Sequence, residues 1–211
     1  MTVLALVLYA TWFALAFGLR TLVQLRRTGD SGFRGVSGRL GSVEWVAGAG
    51  FTVALLIGVA APVADLLGLD RIDLADRPAV RLAGIVVAMV GIVLTLLAQL
   101  SMGDSWRIGV DDGERTALVD RGAFAVVRNP IFSAMVVTAV GLAVMVPNAL
   151  SVIGLVALLG ALELQVRVIE EPYLRTVHGR SYETYAARVG RFVPGVGRLA
   201  MPSTQGAHGG G

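Results

Sequence analysis

Neither cysteine nor lysine occurs in this chain of 211 residues. The first absence excludes a disulfide framework, a thiolate nucleophile and any cysteine-held zinc or iron–sulfur centre. The second excludes Schiff-base and P-loop lysines, because all 18 basic residues are Arg. Imidazole is nearly as scarce: only His178 and His208 are present, the latter in a Gly-rich tail. A bound metal is therefore not expected. Charge is sparse as well, at 16% of residues against 55% hydrophobic, which is more apolar surface than a soluble domain of this size can hide.

Five apolar segments fill the chain, at residues 3–25, 45–69, 80–100, 131–146 and 149–166. A bilayer core of roughly 30 Å takes about 20 helical residues to cross. The ten-residue alternation of barrel strands is missing, and helices are the other way to satisfy backbone polar groups in lipid. The expected fold is an all-α transmembrane bundle of about five spans. No basic segment precedes Val3, so the first run reads as a retained span. Pro147-Asn148 separates the last two runs and predicts a tight antiparallel hairpin of rather short helices. Gly48, Gly58, Gly84, Gly91, Gly141, Gly154 and Gly160 are expected to let helices approach closely.

Of the 18 Arg, only Arg71, Arg77 and Arg81 lie after the second span, among Asp65, Asp70, Asp73 and Asp76. The others flank the first and third spans or follow the fifth, which places the N-terminus outside and the C-terminus in the cytoplasm of a bacterial-type plasma membrane. The net charge of +3 follows from this loop pattern and predicts no nucleic-acid partner.

Ionisable residues gather at the cytoplasmic boundary. Beyond the last apolar run, Glu163, Arg167 and Glu170 share one helical stripe, with Arg167 able to pair with Glu163 or Glu171 at i,i+4 spacing. Pro172 is expected to bend the helix beside the Glu170-Glu171 pair, freeing the Val168 carbonyl. Gly179 stops that helix, and Ser181 is a candidate N-cap for a short amphipathic helix over 182–189 with Tyr182 and Tyr185 on its apolar face. On the preceding loop, Asn129 is placed to cap a helix starting at Pro130. The amides of that helix start would face the boundary, where an anionic group can bind.

These residues resemble the isoprenylcysteine carboxyl methyltransferase family and its phospholipid N-methyltransferase relatives. The resemblance runs from about Ser101 to Pro194. It rests on the Gly122 to Phe124 step, Arg128-Asn129-Pro130-Ile131-Phe132 opening the hairpin, Glu170-Glu171, Gly179, Tyr182 with Tyr185, and Arg191-Phe192-Val193-Pro194. Asn129 stands where many relatives carry His, and Phe132 where they often carry Tyr. The resemblance implies a methyltransferase core over 80–194, two variable spans over 1–79 and a flexible tail over 195–211. It implies S-adenosylmethionine as cofactor, held by Gly122, Phe124, Arg128, Asn129, Pro130, Phe132, Glu170 and Glu171, with Tyr182, Tyr185, Arg188 and Arg191 as a lid. A lipophilic acceptor, a carboxylate or an amine, would enter from the membrane lipids. Glu170 or Glu171 is the candidate base for an amine, and Arg107 or Arg128 the candidate holder of a carboxylate. Two other readings of the same half-chain are an NADPH-dependent sterol-reductase-like enzyme and a non-catalytic lipid-binding protein.

Overall fold

The computed structural model describes residues 1–31, 38–73, 76–102 and 118–200. Within them the chain is helical. Four helices have the length and apolar composition to cross a membrane: α1 (Thr2–Thr28), α2 (Val43–Leu66), α3 (Pro78–Met102) and α5 (Ala149–His178). The fifth apolar helix, α4 (Pro130–Met145), has 16 residues and spans about 24 Å at 1.5 Å per residue. A short amphipathic helix, α6 (Arg180–Arg188), follows. The protein is an integral membrane protein.

Neighbouring helices run antiparallel. Tyr9 of α1 donates its hydroxyl proton to the Leu55 carbonyl of α2 at 2.8 Å. Ala54 of α2 packs on Leu158 and Leu162 of α5. Between α3 and α4 the contact is backbone to backbone, since a Cβ at Gly141 would lie 2.2 Å from the Ala88 amide nitrogen and one at Gly91 2.4 Å from that of Thr138. Gly84, Ala88 and Gly91 lie on one face of α3 and all meet α4 in this way, as small residues do where lipid offers no hydrophobic drive to helix pairing. Gly160 is different: among the described residues nothing lies within 4 Å of its would-be Cβ, so it packs against none of these helices.

The hairpin turn falls at Pro147-Asn148, as its sequence predicts. Asn148 caps α5 by accepting from the Ser151 amide at 2.9 Å, and its side-chain nitrogen donates to the Ala61 carbonyl of α2. On the same face, Arg71 clamps Asp65 through two bonds of 2.6 and 2.9 Å. Thr2 donates to the same carboxylate, tying the chain start to the α2–α3 connection. The charge of Asp65 and its hydrogen bonds raise the pKa of Arg71 further above its usual range.

One expectation about the C-terminal third is met and one is corrected. The last helix runs on past its apolar run as expected: α5 continues through Pro172 to His178, where Gly179 stops it. A π-helical turn over Gln165–Glu170 precedes the proline. Its wider turn accommodates the residue that would otherwise crowd a carbonyl one turn back. Ser181, the expected cap, does not cap α6. The helix begins at Arg180, with Gly179 at the cap position and no side-chain cap bond. Gly179 has φ +49°, a backbone setting that costs glycine little, so one helix stops and the next restarts across a single residue.

Candidate functional site: a buried Arg-Glu-Arg centre

Adjacent residues on an α-helix point about 100° apart, so the Glu170-Glu171 pair cannot present both carboxylates to one place. It is Glu171 that turns inward, at 5% exposure. Arg191 grips it bidentately, Nε on Oε1 at 2.6 Å and Nη2 on Oε2 at 3.0 Å. Arg128, from the residues leading into α4, reaches the same Oε1 with Nη1 at 3.0 Å. Two guanidiniums thus share one carboxylate. The side chains of Arg128 and Glu171 are 2% and 7% exposed, so the cluster carries an excess positive charge where water screens it poorly.

Arg128 is further fixed by its neighbours. Its Nη1 donates to the Tyr182 hydroxyl at 3.2 Å and its Nη2 to the Gly197 carbonyl at 2.5 Å. Its Nε is buried with no hydrogen-bond partner among the described residues. Tyr182 packs edge-on against Tyr185, ring centroids 6.2 Å apart, and the Tyr185 hydroxyl donates to the Phe124 carbonyl at 2.7 Å. Burial pushes both phenols above their ordinary pKa, against the lowering effect of Arg128. The Glu171 carboxylate raises that of Arg191.

A strap formed by residues 190–199 closes over this centre. The Arg128 and Asn129 amides donate to the Gly190 and Arg191 carbonyls at 2.8 and 3.0 Å, and the Leu199 amide donates to the Ala186 carbonyl of α6. Gly190 sits where a Cβ would come within 2.2 Å of the Val193 carbonyl oxygen. The approach to α4 is therefore covered by protein carbonyls. Asn129 occupies the cap position of α4 but makes no side-chain cap bond; its Nδ2 donates instead to the Arg191 carbonyl at 3.2 Å.

The other expected residues fall at different distances from the centre. Pro130 is buried in the first turn of α4. Glu170 is half-buried and accepts from Gln165 Nε2 at 3.3 Å. Arg167 pairs with Glu163, not Glu171, and that pair is exposed. Gly122, with φ +62°, lies against Ser101 at the end of α3. Phe132 points into the apolar core beside Phe51, Leu158 and Leu162. Arg188 is exposed on α6, and Arg107 lies outside the described residues. Sequence reasoning missed Ser133, Gly190 and Gly197, whose backbone or hydroxyl contacts build the strap. The signal for two of them was the recurrent glycine around Arg191-Phe192-Val193-Pro194.

Deeper in the membrane, an apolar cavity of about 70 Å³ is bounded by α1, α2, α4 and α5, with Tyr9, Ala54, Met135, Thr138, Gly154 and Leu158 among its walls. Met135 lies about 7.5 Å along α4 from its first residue, Pro130.

Residues 80–181 match the model of the phospholipid methyltransferase family. A probable protein-S-isoprenylcysteine O-methyltransferase of Oryza sativa subsp. indica is 32% identical over 115 residues, covering 53% of this chain and 59% of that protein. Protein-S-isoprenylcysteine O-methyltransferase B of Arabidopsis thaliana is 30% identical over 113 residues, covering 53% of this chain and 57% of that protein. The chain thus spans a little under three fifths of the length of the curated relatives it matches. Residues 80–181 include Arg128 and Glu171, so the part of the chain that is similar to the phospholipid methyltransferase family and to the isoprenylcysteine O-methyltransferases holds two members of the centre.

Proposed function

We propose that the protein is an S-adenosylmethionine-dependent methyltransferase of the membrane that methylates the carboxylate of a lipophilic acceptor at its cytoplasmic face. The observation that carries this reading is the Arg128–Glu171–Arg191 cluster, with two buried cations on one anion and a buried Arg128 Nε that has no partner among the described residues. Such a cluster favours a second carboxylate, which a guanidinium binds in a planar, charge-assisted geometry. Both the donor and an acid acceptor bring one, so the residues present fit the cofactor.

Bound S-adenosylmethionine supplies an activated methyl group. The protein's own part is to align and to exclude water. Arg128 and Arg191 orient carboxylate oxygens. Tyr182 and Tyr185, buried and held neutral, wall the centre, and the strap covers it. A carboxylate acceptor is already nucleophilic and requires no base. This favours an acid over an amine, because both oxygens of Glu171 are engaged by guanidiniums. The apolar cavity one to two turns along α4 is consistent with an acceptor whose chain lies in the membrane. The relatives are named for isoprenylcysteine, whose carboxylate and hydrocarbon chain match both features. The arginine asymmetry of the loops supports the cytoplasmic placement.

The test is calorimetry on protein in lipid nanodiscs, titrated with S-adenosylmethionine and separately with NADPH, then methyl transfer to an S-farnesylcysteine and to its amide. The reading expects binding of the first cofactor only and transfer to the free acid only. Absence of S-adenosylmethionine binding overturns it.

A further inference from the structure

Asn129 occupies the position where a cofactor contact is expected from the family resemblance, yet its hydrogen bonds go elsewhere. Both its main-chain amide and its side-chain Nδ2 converge on one acceptor, the Arg191 carbonyl, at 3.0 and 3.2 Å. One turn further along α4, the Ser133 hydroxyl donates to the next strap carbonyl, that of Phe192, at 2.7 Å. The Gly190 carbonyl is taken by the Arg128 amide. Three consecutive strap carbonyls are therefore held by residues 128, 129 and 133. The Arg191 amide donates to the Val196 carbonyl at 2.8 Å, so Arg191 is clamped at both its N–H and its C=O. From that fixed backbone its guanidinium meets Glu171 bidentately. Fixing the base of a long side chain helps it hold such a geometry, since less rotamer entropy is then lost in forming the pair.

We propose that Asn129 and Ser133 are positioning residues. They act through the strap to place Arg191 on Glu171, rather than by touching cofactor or acceptor. The role needs an N–H donor at residue 129 and a hydroxyl donor at residue 133. A histidine satisfies the first requirement as an asparagine does. An aspartate offers no donor and fails.

The proposal rests on the methyltransferase reading only in its binding measurement. Its primary test is hydrogen–deuterium exchange of the strap peptide, which reads the Arg191, Val196 and Leu199 amides in nanodisc-embedded protein. Asn129→Ala and Ser133→Ala are expected to speed that exchange about tenfold, the loss of roughly one net hydrogen bond, with α2 and α5 unchanged. Asn129→His is expected to restore protection and Asn129→Asp to lose it. For S-adenosylmethionine affinity, Asn129→Ala should weaken binding. Because it acts through Arg191, Asn129→Ala combined with Arg191→Ala should bind no more weakly than Arg191→Ala alone. Unchanged strap exchange in both alanine variants overturns the proposal, as does a fully additive double variant, which marks Asn129 as a direct contact. Failure of the unmutated protein to bind S-adenosylmethionine removes the functional reading but leaves the exchange measurement to decide the positioning role.

Discussion

Replacing Glu171 by alanine separates the two members of the Glu-Glu pair. Among the described residues, the substitution removes the only carboxylate paired with the Arg128 and Arg191 guanidiniums, whose side chains are 2% and 13% exposed. Stripping one partner from a buried ion cluster costs about 3–5 kcal/mol, because the remaining charge is left uncompensated. For a domain of this size each kcal/mol moves the melting temperature by about 2–4 °C, so the expected loss is about 6–20 °C. Glu170→Ala provides the internal comparison. Its carboxylate is half-buried and accepts from Gln165 at 3.3 Å, an interaction of the kind that contributes at most about 1 kcal/mol. Removing it should lower the melting temperature by under about 4 °C. Both variants are measured by intrinsic-fluorescence melting in one detergent, beside Glu171→Ala with Arg191→Ala, which relieves part of the excess charge and should melt above Glu171→Ala. Equal shifts for Glu170→Ala and Glu171→Ala, or a Glu171→Ala variant within about 2 °C of the parent, would refute the claim that a buried charge cluster organises the site.

Two glycines should respond with opposite sign. Gly141→Ala drives a methyl group against the backbone of Ala88 and should cost about 1–3 kcal/mol by overpacking. Gly160→Ala meets nothing within 4 Å among the described residues and should leave stability unchanged or raise it by about 0.4–1 kcal/mol through helix propensity; both are read from denaturation in mixed micelles. The tyrosines predict an alkaline limb. Burial holds the phenols of Tyr182 and Tyr185 above the ordinary 10.0, so above that pH the unfolded chain releases protons that the folded one keeps. Stability is then full below pH 10 and falls as pH rises through the folded values. Melting curves between pH 9 and 11 should fall less steeply for Tyr185→Phe than for the parent, and identical slopes would discard the idea.

The spans were legible because lipid imposes one simple rule, apolar length, and the chain obeys it over α1, α2 and α3. The hairpin was legible for a similarly local reason, since Pro147-Asn148 both breaks a helix and caps the next. The continuation of α5 past its apolar run was legible too, from the helical stripe of Glu163, Arg167 and Glu170 and the stop at Gly179, and packing against α6 and the strap rewards the inner face of that helix. What misled was Ser181, because α6 starts one residue before it with Gly179 at the cap position. The π turn before Pro172 has no composition signature; it is the local answer to a proline that tertiary contacts keep inside a helix.

The site shows the same division between local and distant causes. Sequence spacing can propose i,i+4 partners, and it found the Arg167–Glu163 pair. It also offered Glu171 to Arg167, which the fold declines, because Glu171 faces inward while Arg167 is exposed. The cations that Glu171 takes come from the entry to α4 and from the strap, positions that no periodicity links to α5. Arg128, Glu171, Tyr182 and Arg191 were each nominated singly by the family pattern, yet what makes them a centre is an excess of positive charge. That excess exists only once the strap, held by Asn129 and Ser133, brings the second arginine to a carboxylate already paired. The chemistry of the site is thus set by three hydrogen-bonded carbonyls of a loop, and loop backbone is the part of a fold that side-chain identity encodes least.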